Sequence, residues 1–96
     1  MEQNDFKKHI GKTFKVAWGH DSHVELKLVA VEPLPTAKTD TTRERKPFEL
    51  RFLGPVHHHL PDNSYTMRIK GVEDQLIFIS AFEQNDDGIH YQAIFN

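Results

Sequence analysis

Histidine is the residue that could do chemistry in this chain. It occurs seven times, and cysteine is absent. Imidazole and carboxylate are therefore the side chains left to hold a metal. His57-His58-His59 lies between Pro55 and Pro61. If that run is locally extended, His57 and His59 share a face. His20 and His23 sit around Asp21 in a second polar turn. His20, His23, His57 and His59 are thus candidate ligands for zinc, nickel or copper. The spacing carries no His-Glu-x-x-His or comparable metal motif. A metal site also needs converging ligands and a supporting second layer of hydrogen bonds. The simpler reading is a set of solvated turns that bind nickel adventitiously, and no cofactor is expected.

Nucleophilic chemistry finds no motif. Ser22, Ser64 and Ser80 have no elbow sequence around them, and the carboxylate pairs Glu73-Asp74 and Asp86-Asp87 fall in turns. The glycines are dispersed, so no loop cradles a phosphate. No catalytic residue is assigned, and the chain is read as a non-enzyme. A different kind of site is the polar stretch 32–47, EPLPTAKTDTTRERKP. It has three prolines, four threonines and no apolar period, which predicts a flexible loop. Lys38, Arg43, Arg45 and Lys46 in it form a candidate surface for a protein partner.

Composition narrows the classes further. The 96 residues suit one domain, read here as residues 1–96. The hydrophobic fraction of 38% permits a small core, helped by seven Phe, two Tyr and one Trp. Twelve basic against 14 acidic residues, a net charge of -2, is not the balance of a nucleic-acid binder. No apolar run is long enough to span a membrane as a helix. The polar start Met-Glu-Gln-Asn-Asp lacks the core of a signal peptide, so a cytoplasmic location is expected, with export inside a larger assembly left open.

The elements that must position these residues read as strands. The strongest signal is 75–96, QLIFISAFEQNDDGIHYQAIFN. The run Leu76-Ile77-Phe78-Ile79 is rich in β-branched and aromatic residues and is expected to be buried on both faces. Asn85-Asp86-Asp87-Gly88 is a turn, and Tyr91, Ala93 and Phe95 share a face beyond it. A four-residue loop sets Phe82 opposite Tyr91 and Phe78 opposite Phe95. A two-residue Asp87-Gly88 loop sets Phe82 opposite Ala93. Both bury the face that carries Leu76, Phe78 and Phe82; a three-residue loop would swap faces unless a bulge corrected it.

Upstream, 4–11 predicts a short helix docked through Phe6 and Ile10, with Gly11 as its left-handed cap. Phe14, Val16 and Trp18 alternate with polar residues, as do Val24, Leu26 and Leu28, giving a hairpin turned at Gly19–Ser22. Phe48–Phe52 and Tyr65–Ile69 alternate as well. Core packing is the default reading of the aromatics, including the inward Trp18; Trp18 and Tyr65 stand beside polar turns, which leaves an exposed position open to them. Six closely spaced strands without βαβ spacing predict an all-β fold: a six-stranded antiparallel small barrel, alternatively a two-sheet sandwich, with one short N-terminal helix plugging one end.

These residues together resemble a small bacterial family of β domains of unknown function (DUF6916-like). The resemblance rests on Phe6, Ile10-Gly11, Phe14, Val24-Glu25-Leu26-Lys27-Leu28, the run Pro47 to Pro55, Tyr65, and the closing Gly88-Ile89-His90-Tyr91-Gln92-Ala93-Ile94-Phe95-Asn96. The three consecutive histidines lie outside that pattern. The resemblance implies an accessory of phage-tail-like collar or fibre assemblies. The functional expectation is a non-enzymatic structural or protein-interaction module that presents strand edges and the 32–47 loop. The alternative is a metal- or small-ligand-binding protein using the histidine turns.

Overall fold

The structure is a computed structural model and describes residues 1–35 and 46–96. Among these residues the elements are α1 (Gln3–Lys7), β1 (Thr13–Ala17), β2 (His23–Pro33), β3 (Phe48–Gly54), β4 (Asn63–Arg68), β5 (Gln75–Asn85) and β6 (Gly88–Phe95). All neighbouring strands are antiparallel, and they close into a barrel in the order β1-β2-β3-β6-β5-β4. The barrel is the architecture expected from the strand spacing, and it sets the sandwich aside.

Alternation builds the interior. Phe14 and Val16 of β1, Val24, Leu26 and Leu28 of β2, and Phe48, Leu50 and Phe52 of β3 all point inward. A six-stranded barrel is too narrow to leave a lumen, so side chains fill it. Val29 is an extra residue in β2: Leu28 pairs with Phe52 and Ala30 with Arg51. This bulge lets both Leu28 and Val31 face inward despite their odd spacing.

Both ends of the barrel are stoppered. At one, Phe6 of α1 lies against Phe48 and Phe95, with ring centroids 5.9 and 5.4 Å away. Phe48 and Phe95 stack in parallel at 4.8 Å. The helix is shorter than expected, and Ile10 is exposed rather than docked. Docking is completed by backbone instead: Gly11, at φ +90°, donates its N–H to the Leu28 carbonyl at 2.7 Å. At the other end the 55–62 loop inserts Leu60, which is fully buried. Its N–H donates to the Tyr91 hydroxyl at 2.9 Å, and the Tyr65 hydroxyl donates to the Pro61 carbonyl at 2.6 Å. Tyr65 is buried although it follows a turn, and its hydroxyl ties down that loop.

The main correction concerns β5. Leu76, Phe78 and Phe82 were expected inside, and all three lie on the outer face. Ile77 and Ile79 are buried in their place, so the run is buried on one face and not on both. The turn itself is compatible with the expected pairing: Asn85 pairs with Gly88 and Gln84 with Ile89. Carried onward, that register would set Phe82 opposite Tyr91. A bulge at Phe82 intervenes, Ala81 takes the place opposite Tyr91, and every earlier side chain of β5 changes face.

The polar loop is also shorter at its base than expected. Pro33 pairs with Phe48, and the Leu34 N–H donates to the Pro47 carbonyl at 3.0 Å. The seam that closes the barrel, between β1 and β4, is held by two residue pairs, Lys15 with Arg68 and Val16 with Met67. Among the described residues no helix is long and apolar enough to cross a membrane.

Candidate functional site

The inverted face of β5 creates the most distinctive surface of the molecule. Leu76 is 73% exposed, Phe78 57%, Ile94 53% and Phe82 45%. These are large apolar side chains on a barrel whose interior is already full. Phe78 pairs with Ser64 and Leu76 with Thr66 on β4. On the other side Ser80 pairs with Gln92 of β6. Phe78 and Ile94 each lie two residues beyond that pair on their own strands, so both share the outer face with Ser80 and Gln92. The polar positions among the apolar ones are Ser64, Thr66, Ser80 and Gln92, so the face carries no formal charge. The outward positions of β1 and β2 contrast with it: they hold Lys15, Glu25 and Lys27.

Charges stand around this face, among them Glu83, which follows Phe82 on β5 and lies 3.9 Å from His90. Arg51 on β3 bonds Glu49 at 3.1 Å and places its guanidinium 5.5 Å from the centre of the Phe82 ring. The cation thus fixes Phe82 through its π-face. His90 approaches the same ring at 6.1 Å. Beyond β4, Arg68 meets Asp74 at 3.4 Å. An uncharged apolar centre within a charged rim is the composition of a protein–protein interface.

A second concavity lies over the β1–β4 seam. It is a cleft of about 430 Å³ whose lining includes Lys15, Ala17, Ser22, His23, Thr66 and Arg68. Small Ala17 and Thr66 form a low floor between longer side chains. Lys15 and Arg68 are direct cross-strand partners, and Asp74 and Asp21 in the same cleft offset their charge.

The histidines occupy separate positions. His58 is half-buried and packs edge-on against Trp18, with centroids 5.2 Å apart. Trp18 in turn lies 6.1 Å from Tyr65, so it covers a barrel end and is half-buried. His57, His59, His20 and His23 are exposed. His23 faces Glu25 at 3.5 Å and lines the cleft. Among the described residues no three His, Asp or Glu side chains are grouped so as to hold a metal ion. Of the candidate loop residues, Lys46 is exposed, and Lys38, Arg43 and Arg45 lie outside the described residues.

The buried hydroxyls are structural. Burial raises the pKa of Tyr91, and the hydrogen bond from Leu60 opposes part of that rise. Burial also raises that of Tyr65, helped by the neighbouring Tyr91 and Asp62.

A family model described as a domain of unknown function, DUF6916, matches residues 1–95. The chain belongs to the DUF6916 family. Comparisons with curated proteins and with solved structures find no match. In this DUF6916 domain the matched residues span α1 and the barrel strands β1 to β6. Leu76, Phe78 and Phe82 on the outer apolar face are residues that sequence alternation assigned to the core, whereas Ile94 alternates with the inward Tyr91, Ala93 and Phe95 as expected. The signal that could have revealed it is the parity conflict within 76–82, where both Ile77-Ile79 and Phe78-Phe82 are apolar.

Proposed function

We propose that this DUF6916 domain is a non-enzymatic protein-interaction module. The observation that carries the reading is the uncharged apolar face of Leu76, Phe78, Phe82 and Ile94. A monomeric domain seldom exposes so many adjacent large apolar side chains. Strand edges are not the means, because the closed barrel gives every strand two neighbours. The partner docks on the face of the sheet instead. The filled interior supports the same reading, since it leaves binding to the outer surface. An accessory role in a bacterial phage-tail-like or fibre assembly, with the domain made in the cytoplasm, is the setting we assign to it.

The test is native mass spectrometry of the chain co-expressed with its neighbouring genes. The expected result is a complex that Phe78→Lys abolishes while the domain's melting temperature holds. A complex insensitive to Phe78→Lys and Ile94→Lys would overturn the reading. Small-ligand binding is a second reading, favoured by the cleft that His23 lines. Calorimetric titration with zinc, and loss of any signal in His23→Ala, tests it.

A further inference from the structure

We infer that the cleft over the β1–β4 seam binds a small carboxylate, which bridges the two strands and holds the seam shut. The inference rests on the small-ligand reading of that cleft, names its ligand class, and is independent of the apolar face. A pair of like charges carries it. Lys15 and Arg68 are directly opposed across the seam, and like charges so placed repel. The neighbouring acids leave part of that repulsion unanswered. Glu25, the partner of Lys15 on β2, lies 3.5 Å from His23. Among the described residues Lys15 itself has no ion pair. Arg68 donates to Asp74 through Nε, at 3.4 Å, and its two terminal nitrogens make no hydrogen bond among those residues. Two cations on facing strands thus keep donors free beside one cleft.

The backbone makes the room. The seam ladder stops at Val16 and Met67, and the next positions, Ala17 and Thr66, line the cleft instead of pairing across it. Its volume of about 430 Å³ is within the range of small-molecule sites. Charge selects the class of ligand. Asp21 and Asp74 also line the cleft and cancel the formal charge of Lys15 and Arg68. A phosphate monoester, carrying roughly -1.5 to -2 at neutral pH, brings up to twice the charge of a carboxylate into a cleft already balanced. A carboxylate brings a single charge and two coplanar oxygens, which suit the free edge of a guanidinium in a bidentate pair. Arg68 takes the anion from β4 and Lys15 from β1. The seam is held by two residue pairs, so a ligand that touches both strands resists its opening.

Amide NMR of the metal-free chain, titrated with sodium acetate against sodium chloride at equal ionic strength, reads this directly. The expected result is saturable shifts at residues 15–17 and 66–68, together with slower hydrogen exchange of the Val16 and Met67 amides. Lys15 and Arg68 are both exposed, so Lys15→Gln and Arg68→Gln should keep the fold. Each should weaken acetate binding about tenfold or more, the worth of one charge-assisted hydrogen bond. Lys27→Gln, on β2 away from the seam, should leave it unchanged. The absence of saturable shifts in the unaltered chain would overturn the proposal. So would binding that survives both substitutions, exchange at Val16 and Met67 that acetate does not slow, or tighter binding of inorganic phosphate than of acetate. If acetate fails and zinc gives a signal that His23→Ala removes, the small-ligand reading of the cleft stands and only the carboxylate class fails.

Discussion

Single positions show how tightly the barrel is specified. Gly88 opens β6 at φ +141°, a backbone conformation that side chains disfavour, and a Cβ there would overlap the Gly54 carbonyl oxygen. Gly88→Ala should therefore cost about 3 kcal/mol in chemical denaturation, from strain and overpacking combined. Tyr91 combines an inward aromatic ring with the hydroxyl that accepts the Leu60 N–H. Its raised pKa, like that of Tyr65, makes stability depend on alkaline pH. Below the ordinary tyrosine pKa of about 10 both groups are neutral in the folded and unfolded chains, and the contribution is fully present. Above it the unfolded chain loses protons that the folded chain retains, so stability falls as pH rises through the folded pKa values. Thermal melts across that window should show the decline. Tyr91→Phe should make it shallower, at a cost of about 1–3 kcal/mol at neutral pH for the orphaned Leu60 N–H.

Bulges are the decisive feature at the level of elements. The extra residue Phe82 divides β5 into two registers, and the pairs on either side, Ala81 with Tyr91 and Glu83 with His90, would be continuous without it. Deleting Phe82 should therefore preserve the barrel, with circular dichroism and a cooperative melt close to wild type. Deleting Ser80 should not. It lies within the paired run, and its loss turns Ile77 and Ile79 outward at about 2 kcal/mol for each. The same bulge explains what could be read beforehand. Strands with one polar and one apolar face, such as Phe14–Val16 or Val24–Leu28, declare their inside by alternation, and the structure follows them. The run Leu76 to Ile79 is apolar on both parities, so only pairing geometry could choose between them. No residue type marks Phe82 as the inserted one. The outer apolar face was therefore illegible, although each of its residues was in view. Ile10 went the same way, because its spacing from Phe6 fits a helix that in fact stops at Lys7.

Taken whole, the molecule is a filled cylinder with its two ends closed by different means, a one-turn helix carrying Phe6 and a proline-bounded loop carrying Leu60. The histidine run belongs to the second closure: His58 supports Trp18, and its neighbours point to solvent. The closure of the cylinder is uneven. β2 and β3 share a long ladder, whereas β1 and β4 meet through two residue pairs. Opening that short seam breaks the fewest hydrogen bonds, so thermal breathing should run through it. Native-state hydrogen exchange should show Val16 and Met67 amides losing protection well before those of Leu50 and Tyr91, although all four side chains are buried. A molecule caught in that open state would bare two unpaired strand borders at once, each matched to the border it has just left. At high concentration, a neighbour in the same state could supply the missing strand, and the barrel would then reclose across two chains as a swapped, slowly reversing dimer.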